Sequence, residues 1–339
     1  MKHLTRMIDL STDEIISILD LADELKAQFK SYNFIPYLDG LTLGMIFEKS
    51  STRTRVSFEA GMHYMGGSAI FLSSNDIQLG RGEPIKDTIR VLSKYIDALM
   101  IRTFDQANID ELVKYTSIPI INGLTDDSHP CQVLADLMTI REKKGTLEGV
   151  KMCFVGDGSD NMANSLVIGA LKTGMKMSIA TPKGFQPHDD VMEYARDNPD
   201  FLITDDLEEA MKDADVVYTD VFTSMGQEKD AADRLALLKE YQVNAKSMSY
   251  AKPDAMVLHC LPAHREEEIT GEVFEDHADE IFEQAGNRMH AQNSVLVLLM
   301  EGHKKKSLNK YGYDYELKAH YELDEQKNGN GNGNGTASK

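Results

Sequence analysis

From residue 41 onward, short runs of Ile, Val, Leu and Phe alternate with helix-length amphipathic segments. That rhythm is the signature of parallel strands joined by crossover helices, so the fold class is α/β. In the first half the strand candidates are LTLGMIFE (41–48), SAIFLSS (68–74), IDALMIR (96–102) and IPIINGL (118–124). In the second half they are VKMCFVG (150–156), KMSIATP (176–182), FLITDD (201–206), DVVYTD (215–220) and MVLHCLP (256–262). Two doubly wound units follow, each a mainly parallel sheet flanked by helices, with the active site expected in the cleft between them.

The helical stretch from about Pro130 to Lys143 ends in Lys-Lys-Gly before the second set of strands, so the boundary is expected near Gly145. Residues 1–145 then form one domain and 146–288 the other. A final helix over about 289–318 is expected to pack back on the first domain. The end of the chain, NGNGNGNGTASK, cannot offset its chain entropy by burial, so 319–339 read as a flexible tail without function.

Composition narrows the function. A length of 339 residues, 42% hydrophobic and 27% charged, suits two globular cores. The net charge of -19 argues against nucleic acid or an anionic membrane as partner, since both require a basic face. No run approaches the roughly 20 apolar residues of a membrane span, and Met1–Leu10 does not read as a signal peptide, so a cytoplasmic location is expected. Three cysteines, Cys131, Cys153 and Cys260, without a C-x-x-C pair indicate reduced thiols rather than a disulfide framework or zinc knuckle.

An anionic substrate needs local cations, and FEKSSTRTRVSFEAGMHYMGG supplies them. Ser51, Thr52, Arg53, Thr54 and Arg55 stand between a buried strand and a helix. A helix start offers free N–H groups and a positive dipole end, while hydroxyls and a bidentate guanidinium add donors. A phosphate dianion can be held there without a metal. An N-cap with exposed arginines is the plainer reading of the same residues. Three further strand ends carry polar groups: Arg102, then His129 with Gln132 at a helix start, and Cys260. Ligands of open parallel sheets gather at carboxyl strand ends. Each residue also has a plain reading, as a surface charge, a cap before Pro130 and a small buried hydrophobe respectively.

Gly156-Asp-Gly158 follows a strand, but Asn161 occupies the third glycine position of G-x-G-x-x-G and no acid closes KMSIATP, so a nicotinamide cofactor is rejected. No cofactor and no metal are expected. Asn161, Asp220, Ser224 and the backbone near Met225 suit the charged ends of an amino acid, although Asp220 alone could be a turn carboxylate.

In order along the chain, STRTR (51–55), HPCQ (129–132), HCLP (259–262) and RMH (288–290) resemble the signatures of the carbamoyltransferase superfamily. Asp220 followed by SMG (224–226), the cysteine of HCLP and Asn161 in DNMANS are similar to its ornithine branch and differ from its aspartate branch. The resemblance runs from about residue 3 to 301. It implies that Ser51, Thr52, Arg53, Thr54 and Arg102 hold phosphate and carbonyl oxygens with Arg288 nearby, and that His129 polarises the carbonyl. It further implies that Gln132 and the Leu261 carbonyl, before a cis Pro262, fix the carbamoyl amide. Asn161, Asp220, Ser224 and Met225 would bind the α-groups of ornithine, placing its δ-amine beside Cys260. Arg53, Arg102, His129 and Cys260 are the catalytic candidates. The resemblance also implies a homotrimer or an assembly of trimers, in which Gln78, on the loop after the second strand, reaches a neighbour's site. RMH departs from the usual RLH by a volume-conserving swap. A putrescine-specific transferase and a non-catalytic relative are the alternatives, and SMG and the retained basic residues respectively disfavour them.

Overall fold

The structure, a computed structural model, describes residues 1–74, 77, 82–223 and 231–304. Gln78, Ser224, Met225 and the tail lie outside the described residues. Among the described residues nine strands form: β1 (Thr42–Phe47), β2 (Ser68–Ser73), β3 (Ala98–Arg102), β4 (Ile120–Leu124), β5 (Lys151–Val155), β6 (Lys176–Ala180), β7 (Phe201–Thr204), β8 (Val216–Thr219) and β9 (Met256–His259). All pairings are parallel, in two sheets ordered β2-β1-β3-β4 and β7-β6-β5-β8-β9.

The principal helices are α1 (Thr12–Lys30), α2 (Thr52–Tyr64), α3 (Ile85–Leu92), α4 (Gln106–Tyr115), α5 (Pro130–Lys144), α6 (Asn161–Lys172), α7 (Asp189–Ala195), α8 (Leu207–Met211), α9 (Ala231–Leu238), α10 (Ala245–Met248), α11 (Gly271–Asp276) and α12 (Ala278–Leu296). Alternation along each strand shows why both sheet faces need helices. Leu43, Met45 and Phe47 of β1 enter the largest apolar core, whereas Ile46 enters a separate one shared with Ile89 of α3 and Ile109 of α4. Likewise Met152 and Phe154 of β5 face the largest core, and Cys153 and Val155 face a third. Strand side chains point to opposite faces with period two, so a strand apolar throughout is covered on both sides.

Pro130 opens α5 at its first turn, and Gly145 ends it with φ 78°, a left-handed conformation that suits glycine. One expectation is corrected. The last long helix begins at Ala278, not near 289, and continues through a turn at Val297–Glu301. It therefore bridges both units, because α5, α12 and α1 run through a core containing residues of both sheets. Lys26 of α1 pins this junction. Its Nζ reaches Glu142 of α5 at 2.7 Å and Glu283 and Asn287 of α12 at 2.5 and 2.6 Å.

Candidate active site

Both sheets reverse their strand order beside their first strand, β1 in one and β5 in the other, and the carboxyl ends of β1, β3, β5, β8 and β9 open on a single cleft. Its volume is about 680 Å³. Such reversals leave a crevice at the strand ends, where ligands bind in open α/β sheets. Ser51, Thr52, Arg53, Arg102, His129, Gln132, Asn161, Asp220, Cys260, Leu261 and Arg288 all line it.

On the first-domain wall, Ser51 is the N-cap of α2, its Oγ accepting from the Thr54 N–H at 3.2 Å. The N–H groups of the first turn beyond it lack intrahelical partners and carry the positive end of the helix dipole. Thr54 is fully buried behind the cleft wall. Its hydroxyl accepts from Ser51 Oγ at 3.1 Å and from Arg288 Nη2 at 3.0 Å, so it braces the site. Arg55 turns outward, pairing with Glu59 and stacking on Phe71, so the plain reading of an exposed arginine holds for it.

Three guanidinium groups converge from distant parts of the chain: Arg53 from α2, Arg102 from β3 and Arg288 from α12. The Nε of each is buried without a hydrogen-bond partner among the described residues, as are His129 Nδ1 and Gln132 Oε1. Buried polar groups are ordinarily paired, so five such atoms around one cleft mark a place built for a polar ligand. Burial, followed by the charges of Arg288 and Arg53, lowers the Arg102 pKa to about 10, which still leaves it charged at neutral pH. Burial and the same cations push His129 well below its ordinary value, so its imidazole is neutral. His129 does not cap α5 with its side chain. Its backbone N–H donates to Ser165 Oγ at 2.9 Å, which leaves the ring to the cleft.

On the opposite wall, Asp160 caps α6, and Asn161 donates from Nδ2 to the Thr125 carbonyl at 2.6 Å. Asp220, just past β8, accepts from the Val221 N–H at 2.7 Å and lies beside Cys260, with Asp160 close by. Burial raises its pKa to about 6, against the pull of these groups. Burial, with Asp220 beside it, pushes the Cys260 thiol well above its ordinary range. Cys260 is therefore a neutral donor at physiological pH, not a thiolate. The Leu261–Pro262 peptide is cis, and the Leu261 carbonyl accepts from Arg53 Nη2 at 2.5 Å.

The two glycines after β5 have a structural origin. Gly156 has φ 135°, and a Cβ on Gly158 would lie 2.5 Å from the Phe185 carbonyl oxygen. Lys49 and Asp160 were not singled out from sequence, yet both line the cleft. Lys49 is buried, ion-paired with Asp126 and 4.5 Å from the Phe104 ring centre. Its place in FEKSSTRTR, at the end of β1, was the available signal.

Residues 2–142 match the domain described as aspartate/ornithine carbamoyltransferase, carbamoyl-P binding domain, and residues 148–299 match its Asp/Orn binding domain. A protein of Bacillus subtilis named ornithine carbamoyltransferase is 53% identical over 312 residues, covering 90% of this chain and 96% of its own. The solved ornithine carbamoyltransferase of Pyrococcus furiosus is 47% identical with a TM-score of 0.84, and covers 89% of this chain and 97% of its own. The anabolic enzyme of Campylobacter jejuni is 42% identical with a TM-score of 0.83, over 88% and 99% of the two chains. These matches span both sheets and the cleft between them, and the chain belongs to the aspartate/ornithine carbamoyltransferase family.

Proposed function

We propose that this chain transfers the carbamoyl group of carbamoyl phosphate to the δ-amine of L-ornithine, giving L-citrulline and phosphate. The observation that carries the reading is the set of buried, unpartnered atoms on Arg53, Arg102, Arg288, His129 and Gln132 around one cleft, with Asp220 on the facing wall. Ser51, Thr52 and the first turn of α2 hold the phosphate together with Arg53 and Arg102, while Thr54 keeps Arg288 in place. The Leu261 carbonyl and Gln132 Oε1 accept the amide N–H groups. Asn161 and Asp220 bind the α-groups of ornithine, with Ser224 and Met225 completing that side.

The reaction is acyl transfer. The δ-nitrogen forms a bond to the carbamoyl carbon, negative charge builds on the carbonyl oxygen, and the carbon–oxygen bond to phosphate then breaks, the departing phosphate taking up the proton that the nitrogen releases. Arg102 and neutral His129 offset the oxyanion with donors already in place, which is where such sites gain most. No group of the protein is required as covalent nucleophile, and Cys260 acts as a thiol donor beside Asp220. The amine attacks in its neutral form, so turnover rises with pH toward the ordinary amine pKa of about 10.4.

The active assembly is a homotrimer or a larger assembly of trimers, with Gln78 completing a neighbour's site, and a monomer is inactive. Edge strand β2, with Ile70 exposed, leaves a free sheet edge that suits subunit contact. The protein works in the cytoplasm, in arginine synthesis or in the reverse direction. Among the described residues no helix is long and apolar enough to cross a membrane. The test is citrulline formation from carbamoyl phosphate, with ornithine, putrescine, N-acetylornithine and aspartate offered in parallel. Strong preference for ornithine is expected. Preference for putrescine would remove the α-carboxylate assignment, and no product from any amine would leave a non-catalytic family member.

A further inference from the structure

We propose that His259, locked by Glu268, is a positioning residue that aims the Leu261 carbonyl at the carbamoyl amide; this rests on the carbamoyl phosphate reading above. Both side chains are fully buried, with His259 Nε2 2.9 Å from Glu268 Oε1. The Leu261 backbone N–H donates to His259 Nδ1 at 2.9 Å. A backbone N–H can only donate, so Nδ1 is bare and the ring proton sits on Nε2, where the carboxylate accepts it. The tautomer is thus fixed by two partners, neither of which can take the other's role.

Glu268 does more than hold the ring. Its Oε1 also accepts the His264 N–H at 2.6 Å, so one carboxylate ties both ends of the turn that carries Leu261 and Pro262. The turn needs this restraint. Leu261 has φ 60°, a left-handed conformation that a branched side chain adopts only at a cost. Released from Nδ1, the Cys260–Leu261 peptide could rotate, the Leu261 φ it holds would relax, and the carbonyl of the following peptide would swing away from the phosphate site, where Arg53 now reaches it.

The second acceptor is aimed by the same framework. The His259 N–H donates to Gln284 Oε1 at 2.9 Å, and Gln284 Nε2 donates to Asp136 Oδ1 at 2.7 Å. Asp136 Oδ1 also takes Gln132 Nε2 at 2.8 Å, which leaves the oxygen end of that amide for the cleft. The two acceptors for the carbamoyl N–H groups are therefore oriented from one hydrogen-bonded frame joining β9, α12 and α5. Its chemical consequence is selectivity for an amide over a group without N–H, independent of how tightly the phosphate is held.

Two substitutions separate this role from a structural one. His259→Asn keeps an acceptor oxygen near the position of Nδ1, whereas His259→Gln extends toward Glu268 and leaves the Leu261 N–H without an acceptor. The measurements are the KM for carbamoyl phosphate and the inhibition constant of inorganic phosphate. His259→Gln is expected to raise the KM about tenfold, the effect of one lost hydrogen bond, and to move the phosphate constant by less than about twofold. His259→Asn is expected to stay within about threefold of the wild type in both. Parallel losses of both ligands in His259→Gln, or no change in either, would overturn the proposal. Should a thermal melt show that His259→Gln does not fold, His259→Asn decides: a KM within about threefold supports the role and a rise of about tenfold overturns it. If the wild type forms no citrulline from any amine, the functional reading fails separately, and equilibrium binding of carbamoyl phosphate and of phosphate to the same proteins still judges the clamp.

Discussion

The two walls of the cleft are built on different principles. On the proposed phosphate side, Arg53, Arg102, Arg288, His129 and Gln132 each keep a buried polar atom unpartnered among the described residues, so binding needs little rearrangement. On the proposed ornithine side, Asp220 already accepts from the Val221 N–H with Cys260 and Asp160 beside it, and Asn161 donates to the Thr125 carbonyl. An electrophile site is prepared in advance, while the site for the nucleophile holds its groups in internal bonds that a ligand must replace. Preparation of the first kind serves transition-state charge, because donors fixed before reaction need no reorganisation when the oxyanion forms.

Breaking the prepared wall should therefore have the largest effect. Arg102→Ala is expected to lower kcat/KM by about a thousandfold, about 4 kcal/mol, because it removes a buried donor to the developing charge. Arg53→Ala is expected to cost about a hundredfold or more, with KM for carbamoyl phosphate and kcat damaged together. Inorganic phosphate should raise the melting temperature of the wild-type chain, as any ligand of the native state does, and this shift should vanish in Arg53→Ala. Unchanged kinetics in either variant would remove that arginine from the site.

The opposite wall should respond in one substrate only. Asp220→Ala is expected to raise the ornithine KM about thirtyfold, the scale of one charged hydrogen bond, and to leave the KM for carbamoyl phosphate near its wild-type value. A rise in both would mean that the two walls are not separable.

A smaller, graded effect follows from acidity. Burial raises Asp220 to about 6, so above that pH it is ionised, as its proposed partnership with the α-ammonium requires, and below it a neutral acid. The ornithine KM is expected to climb as pH falls through about 6, by at most about tenfold per pH unit for a single proton. Asp220→Asn should flatten this dependence. A wild-type KM independent of pH across that range would assign the ammonium to another group.

The contrast between the walls also explains what could be read from sequence. The proposed phosphate site is legible because Ser51 to Thr54 are contiguous and their order is itself the geometry of a capped helix. Arg288 is not legible by spacing. It reaches the site only because α12 crosses both units, which no local period reveals, and only the resemblance of RMH pointed to it. The expected start near 289 is accordingly about ten residues late, since Ala278–Gln284 shares its polar residues between a buried network and solvent. Lys49 was passed over because a lysine beside a strand usually lies in solvent, whereas Asp126 and Phe104 hold this one inside. Asp160 and Asp220 are far apart in the chain, and their contact comes from β5 and β8 being neighbours in the sheet. The strands, by contrast, are evident from their apolar runs, most plainly in β3, β8 and β9, which are buried along their whole length.

The smallest effect concerns Cys260, which stands where the walls meet. With its thiol pushed far above neutrality by burial and by Asp220, the residue contributes a proton to a hydrogen bond and not a nucleophile. Cys260→Ser keeps a donor of similar size, so kcat/KM should fall by less than about tenfold. Cys260→Ala removes a bond that favours ionised Asp220, so the midpoint of the ornithine pH dependence should move upward in alanine and stay near its wild-type position in serine. Alkylation of Cys260 at neutral pH should be slow in the wild type, because the thiolate is the reactive form. Rapid alkylation, or loss of activity in the serine variant as deep as in Arg102→Ala, would mean that the sulfur itself takes part in the chemistry and that the donor assignment is wrong.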